Sequence, residues 1–266
     1  MKARLRRRLV NGGVALAGVL AAAGLWAAAT YSLHEAAYVT GWLLMALLVA
    51  LTLFNVRKKL PFLPLLPARA WLQAHVYLGL VTVAVFAFHV DFRVPNGVLE
   101  VTLAVLFLVV AISGFVGLFL SRAVPSRLRT RGELVLRQRQ PRLLRRLRER
   151  LEERVDELES TAVSDFYVRR LLPFFEEHRN FWWHLAQSNR PRRRLLNELE
   201  GMERYLDEEE RRVVEEIEGL IRKKDDLDYH RAHQAVLKRW LFVHVPVTWS
   251  LLVAAVVHAT VVYAWR

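Results

Sequence analysis

The segment HVYLGLVTVAVFAFH, residues 75–89, begins and ends with a histidine and contains no other ionisable group except one tyrosine. The segment HVPVTWSLLVAAVVH, residues 244–258, repeats the same separation of fourteen positions. Fourteen residues of α-helix rise about 21 Å and fall about 40° short of four whole turns, so both imidazoles of a segment lie near one face. An ionisable side chain in hydrocarbon needs a partner inside the protein. The repeated spacing therefore predicts two membrane helices that present histidines to shared sites.

Long apolar blocks place this chain in a membrane. Of its residues 54% are hydrophobic, and they are grouped into five blocks, at residues 10–30, 37–54, 71–89, 98–120 and 240–263. Each block is close to the roughly 20 residues that span a bilayer. The predicted fold is an all-α integral membrane bundle of five transmembrane helices. Residues 1–120 are expected to form the first four helices, 121–239 a charged, amphipathic helical insert, and 240–266 the fifth helix.

The first block has two interpretations. A basic start, an apolar run and small residues near position 28 also describe a secretory signal. The apolar run is longer than a typical signal core, so we favour a retained anchor. Cleavage of the first block would leave the other four blocks with the same orientation.

The distribution of basic residues predicts the orientation. Of the 39 lysines and arginines, 37 lie in the amino-terminal tail, in residues 57–69 or in the insert, and only Arg93 and Arg266 lie on the opposite side. Since basic flanks stay cytoplasmic, the amino terminus and the insert are expected inside and the carboxyl terminus outside. The net charge of +13 then reflects topology and anionic membrane lipid. With 28 basic against 23 acidic residues, the insert is not expected to bind nucleic acid.

The chain contains no cysteine, which excludes disulfides, thioether-attached haem, iron–sulfur ligation and thiolate zinc sites within it. Histidine is the appropriate axial ligand for a b-type haem held between helices. The third and fifth helices are predicted to run in the same direction. His75 then matches the depth of His244 near the cytoplasm, and His89 matches His258 near the outer face. We call these the first and second ligand pairs, and they predict an inner and an outer b-type haem with iron bound by both members of each pair.

Aromatic residues and a glycine lie near the first ligand pair. Trp71 and Trp240 each precede an inner histidine by four residues, and Gly79 follows His75 by one turn. All three are candidates for the haem environment. Interfacial anchoring for the indoles and close helix packing for the glycine are alternative interpretations.

Haem propionates need cations or hydrogen-bond donors at each end of the bundle. Arg239 lies beside the inner end of the fifth helix, and Arg93 follows His89 by four residues on the side where basic residues are scarce. Both are candidate propionate partners. Topology alone also accounts for Arg239.

The residues resemble those of a known family. Two spans that each carry histidines fourteen positions apart are similar to the di-haem membrane cytochromes b, which include respiratory cytochrome b and the ferric reductase-like transmembrane domains. The resemblance implies that His75, His89, His244 and His258 are axial ligands. The chain lacks a Gly-x-Gly-x-x-Gly fingerprint and a Pro-Glu-Trp-Tyr sequence, which differs from the flavin-containing and quinol-oxidising members.

The resemblance implies an electron-transfer subunit of a quinone-linked oxidoreductase in a bacterial inner membrane. Its partners would be quinone and a separate redox protein, such as a multihaem cytochrome c or a dehydrogenase subunit. The alternative is a non-redox membrane protein, either a proton-coupled transporter or a signalling subunit, in which the histidines line a proton path or bond to a neighbouring helix.

The insert is expected to be helical. An apolar stripe predicts a first helix and consists of Leu144, Leu147, Leu151, Val155 and Leu158. Further helices are expected at 165–185, interrupted at Pro173, at 192–206, and at 207–222 with Asp207 as the N-cap. An aromatic cluster in the second helix is expected in the core or at the membrane and consists of Phe166, Phe174, Phe175, Phe181, Trp182 and Trp183.

Four further histidines lie in the insert, namely His178, His184, His230 and His233. Zinc binding, proton relay and contact with a haem propionate are candidate roles, and ordinary interfacial polarity is the simpler interpretation.

Overall fold

The computed structural model describes residues 2–32, 35–59, 67–129, 139–157, 161–176, 180–202, 204 and 206–265. Within these ranges the regular structure is entirely helical. The helices are α1 (Lys2–Tyr31), α2 (Ala36–Lys59), α3 (Ala68–His89), α4 (Val98–Leu128), α5 (Gln140–Asp156), α6 (Thr161–Phe166), α7 (Leu172–Glu176), α8 (Phe181–Leu185), α9 (Arg190–Glu200) and α10 (Glu208–Ala264). A π-helical turn, Tyr167–Leu171, joins α6 to α7.

Five of the described helices, α1 to α4 and α10, are long and apolar enough to cross a membrane. This confirms the predicted all-helical fold with five membrane-length helices and indicates a multi-pass membrane protein. All five contribute to one apolar core, whose buried members are Ala22, Leu44, Leu48, Val85, Phe107 and Leu251. The many exposed aliphatic side chains on these helices are those expected to face lipid.

The fifth membrane helix is longer than predicted. Instead of ending near residue 222 and resuming at 240, α10 continues without a break over 57 residues. Residues 220–245 contain neither glycine nor proline, so the change from charged to apolar composition does not interrupt the backbone hydrogen bonds. The predicted helix at 207–222 was therefore too short.

The chain divides into two compact units, one of residues 1–119 with 240–266 and the other of residues 120–239. The second unit has its own apolar core. Leu147, Leu151 and Val155 are buried there, as the predicted stripe requires, while Leu158 lies outside the described residues. The aromatic cluster is split, since Phe166, Phe174 and Phe175 are buried but Trp182 and Trp183 are exposed.

Two helix ends in this unit have local causes. Asp207 is the N-cap of α10, as predicted, because its Oδ1 accepts a hydrogen bond of 2.8 Å from the backbone N–H of Glu210. The Glu210 carboxylate accepts a reciprocal bond of 3.2 Å from the Asp207 N–H, which completes a capping box. Asn180 has a φ of 66°, so the expected helix at 165–185 is broken before α8. The interruption predicted at Pro173 is wrong, because the backbone remains helical there, with the π-helical turn directly before α7. The helix expected at 192–206 occupies Arg190–Glu200.

Ile217 tests the core of the second unit because it is fully buried there on α10. Replacing Ile217 with alanine is expected to lower the free energy of unfolding by about 2–5 kcal/mol through lost packing. Glu215→Ala, at an exposed position on the same helix, should change it by less than about 0.5 kcal/mol. Urea unfolding of the detergent-solubilised chain, followed by tryptophan fluorescence, measures both. Equal effects of the two substitutions would contradict this account of the core.

Candidate functional site

The four membrane histidines lie on two of the apolar helices, His75 and His89 on α3 and His244 and His258 on α10. Since both segments are helical throughout, the expected rise of about 21 Å between the histidines of each helix holds. All four side chains are half-buried.

His89 has one ring nitrogen held by a neighbouring helix. Its Nδ1 lies 2.9 Å from the backbone carbonyl of Ala37 on α2, with the Thr40 hydroxyl 3.4 Å away. A carbonyl can only accept, so Nδ1 carries the proton and donates it. The neutral ring then keeps its lone pair on Nε2, which is the atom available to a metal.

Nδ1 of His244 is also held by a neighbouring helix, in this case through a hydroxyl group. Its Nδ1 lies 2.6 Å from the Ser113 hydroxyl on α4. That hydroxyl donates its single proton to the Val110 carbonyl at 2.9 Å, so it accepts from Nδ1–H. His244 therefore also presents Nε2 with a free lone pair.

Trp240 covers one face of the His244 ring. The two rings are stacked, with centroids 5.2 Å apart and planes inclined by 23°. The Trp240 indole N–H donates to the Ser113 backbone carbonyl at 2.8 Å. Ser113 thus holds both the imidazole and the indole that covers it.

The second ligand pair lines one cavity of about 420 Å³ in the membrane unit. Such a volume falls within the roughly 300–1,000 Å³ of small-molecule and cofactor sites. Most of the wall is apolar, with Phe86 and Phe107 stacked at 4.0 Å between centroids.

His258 contributes an unpartnered polar atom to the wall of this cavity. Its Nδ1 is buried and has no hydrogen-bond partner among the described residues. A buried polar atom without a partner in a native protein calls for a ligand, an ion or a water. The orphaned nitrogen belongs to a residue of the cavity wall, so it points to a group that occupies the site.

The two histidines of the first ligand pair contact different neighbouring helices. The His75 ring packs against Phe54, with centroids 5.1 Å apart, whereas His244 contacts Ser113 and Trp240. The Trp71 Nε1 near His75 is buried with no described hydrogen-bond partner, so this donor is available to an acceptor. A Cβ added to Gly79 would meet no atom within 4 Å, which leaves open space beside α3.

Glycines allow helices to approach the histidines closely. A Cβ on Gly41 would lie 3.0 Å from Cε1 of His89, which is closer than ordinary packing. One on Gly114 would lie 4.0 Å from Cε1 of His244, an ordinary van der Waals contact. A Cβ on Gly117 would overlap the Trp240 ring. Small residues at such contacts are typical of packed membrane helices. These three glycines and Ser113 were not predicted as site residues, although the small residues at 113, 114 and 117 were a visible signal on one helix.

The two predicted propionate partners have different surroundings. Arg93 lines the cavity of the second ligand pair and forms a 3.3 Å ion pair with Asp91. Arg239 belongs to the other unit, where its guanidinium lies over the Phe181 ring at 5.0 Å.

The remaining insert histidines lie in a buried polar cluster. His184, His230 and His233 are each almost completely buried in the second unit. The His184 Nε2 is 3.9 Å from Asp225, and the His233 Nδ1 donates to the Tyr229 carbonyl at 3.0 Å. Among the described residues, no group of three histidine or acidic side chains could hold a metal ion, so the structure gives no support to zinc. His178 lies outside the described residues.

The membrane histidines fit a haem. Its porphyrin supplies four of the iron's ligands, so the protein needs only two imidazoles, and a cluster of three acidic or histidine groups is not required. Two of the four, His89 and His244, have Nδ1 hydrogen-bonded and Nε2 open, which is the usual arrangement of histidines that bind a metal. The apolar cavity beside His89 and His258 is the second feature that fits. No protein-family model, curated protein or solved structure matches the chain.

Gly117 tests the packing that holds Trp240 over His244. Gly117→Ala is expected to displace the indole and lower the free energy of unfolding by about 1–3 kcal/mol through overpacking. The matched control is Gly24→Ala on α1, where an added Cβ meets nothing within 4 Å. Unfolding of the purified chain in mixed detergent micelles measures both variants. If Gly117→Ala were as stable as Gly24→Ala, the close approach of α4 to Trp240 would be wrong.

Proposed function

We propose that this chain is a di-haem membrane cytochrome b that carries electrons across a membrane between quinone and a separate redox protein. The observation that carries the proposal is that Nδ1 of His89 and Nδ1 of His244 each lie within hydrogen-bond distance of an oxygen on a neighbouring helix. On two different helices, Nδ1–H is used by a neighbouring acceptor, which leaves Nε2 for iron.

Four imidazoles would hold the two haems, His75 with His244 and His89 with His258. When bound, haem supplies reversible one-electron chemistry at its iron. The Ala37 carbonyl and the Ser113 hydroxyl orient their histidines and increase the basicity of Nε2, because a hydrogen bond from Nδ1–H places more negative charge on the ring.

The surrounding side chains set the environment of each site. Apolar walls near His89 and His258 exclude water and lower the local dielectric, which tunes a redox potential. Arg93 beside that cavity and the Trp71 indole N–H near His75 are the donors that suit propionate carboxylates.

The proposed orientation in the membrane follows the distribution of basic residues. The amino terminus and residues 121–239 are assigned to the cytoplasm of a bacterium, and the carboxyl terminus to the outer face of its inner membrane. The partners would be quinone and an outward-facing cytochrome or a dehydrogenase subunit. The chain would then be the electron-transfer subunit of a quinone-linked oxidoreductase.

Haem content tests the ligand assignment. Purified wild-type protein should contain two b-type haems per chain, and His89→Gly or His258→Gly should retain one. Added imidazole should restore the second haem to the glycine variants, because free imidazole can occupy the space of the deleted ring. The control His34→Ala, outside the four ligands, should retain both.

The measurement is the haem-to-protein ratio from pyridine haemochrome spectra, with helical content checked by circular dichroism. Wild-type protein without haem, or folded His89→Gly and His258→Gly variants that retain both haems, would rule out the proposed pairing. A haem-free but folded wild-type chain would favour the alternative of a non-redox protein.

Ser113 tests the hydrogen bond that carries the proposal. Ser113→Ala removes the acceptor for His244 Nδ1–H, so the imidazole becomes less basic and stabilises ferric iron less. The midpoint potential of one haem should therefore rise, while the other is unchanged. Ser250→Ala, at an exposed position of α10, should shift neither. Redox titration of the α-band measures both potentials, and an unshifted Ser113→Ala protein would contradict the proposed role of Ser113.

A further inference from the structure

Two neighbouring indoles are exposed in the unit of residues 120–239. The side chains of Trp182 and Trp183 on α8 are 76% and 45% exposed, although Phe166, Phe174 and Phe175 of the same aromatic cluster are buried. Large aromatic surfaces are usually buried, and exposed ones mark interaction sites. Indoles in particular favour the interface between lipid and water, where the ring is apolar and the N–H remains hydrated.

Exposed arginines on α9 lie near one of these indoles, Trp183. Arg190, Arg193 and Arg194 share one helix face, because they are spaced by three and four residues. Arg194 approaches Glu198 at 3.7 Å, whereas Arg190 and Arg193 form no ion pair with any described residue. Both guanidinium groups belong to exposed residues, which suits them to bind an external anion.

Two surface depressions connect the arginines with an indole. One, of about 420 Å³, is lined by Trp183, Arg190 and Arg194 together with Arg169 and Arg170. The other, of about 600 Å³, is lined by Arg190, Arg193 and Arg194. No carboxylate among the described residues lines either depression, although Arg169 and Arg170 pair with acidic residues nearby. We call the surface formed by Trp182, Trp183, Arg190, Arg193 and Arg194 the Trp–Arg surface.

We propose that the Trp–Arg surface binds the phosphate headgroups of anionic phospholipids. Guanidinium groups complement phosphate in charge and in the geometry of their paired donors. The indoles supply the interfacial anchor that a soluble phosphate would not need. Because the apolar helices of the same chain cross a bilayer, lipid is always at high local concentration. The proposal depends on this membrane location and not on the binding of haem.

Spin labelling of the full chain tests the proposal. The protein has no cysteine, so Asn197→Cys, on the same face of α9, provides a single labelling site that keeps both indoles and all three arginines. In nanodiscs of phosphatidylglycerol, the label should become severalfold less accessible to a water-soluble nickel relaxant than in nanodiscs of phosphatidylcholine. Glu215→Cys, at an exposed position of α10, should remain equally accessible in both lipids.

Charge and indole variants in the Asn197→Cys background separate the two contributions. Each arginine near an anionic surface contributes roughly a fivefold preference for it. Replacing Arg190, Arg193 and Arg194 with glutamine should therefore abolish the difference between the lipids, as should high salt. Trp182→Ala with Trp183→Ala should reduce the protection. Circular dichroism checks that each variant keeps its helices.

Three outcomes would overturn the proposal. The label could remain fully accessible in phosphatidylglycerol, or it could be protected equally in both lipids and in the glutamine variant. It could also be protected in phosphatidylcholine nanodiscs only after inorganic pyrophosphate or an acidic protein is added, which would identify a soluble partner instead of lipid. Each measurement uses protein without regard to its haem content, so the result is separate from the test of the proposed function.

Discussion

An imidazole within a hydrocarbon layer has two polar ring nitrogens, and both must find partners inside the protein. In two of the four rings, a neighbouring helix supplies the partner of one nitrogen. The Ala37 carbonyl on α2 engages Nδ1 of His89, and the Ser113 hydroxyl on α4 engages Nδ1 of His244. The helices without candidate histidines thus orient these two rings and leave Nε2 of each open to a bound group.

Close helix packing makes these hydrogen bonds geometrically accessible. Gly41 admits the His89 ring and Gly117 admits the Trp240 indole, which in turn stacks on His244. Because lipid tails provide little hydrophobic force between helices, van der Waals contact and hydrogen bonding hold such a bundle together. The same contacts that stabilise the apolar core therefore position the candidate ligands, and the orphaned Nδ1 of His258 marks where the packing leaves a cavity.

Much of the membrane fold was predictable because a bilayer requires continuous apolar helices, and that requirement is visible as five blocks. The length of α10 was not predictable, because a change in polarity at residue 240 resembles a helix boundary. The backbone nevertheless continues as one helix through that point. The hydrogen-bond partners of the histidines could not be predicted from the sequence either. Ala37 acts through its backbone and lies 52 positions from His89, and Ser113 lies 131 positions from His244. Such contacts arise only from tertiary packing and have no local pattern.

The most direct test of the account is the low-temperature electron paramagnetic resonance spectrum of the oxidised, purified protein. Two imidazoles on each iron predict low-spin ferric haem, with two such signals because the two sites have different surroundings. The signals should be present in wild-type protein, and one should be lost from His258→Gly. A preparation that is folded yet has no haem signal, or that shows only high-spin iron with an open coordination position, would contradict the central claim that paired membrane histidines clamp two haems.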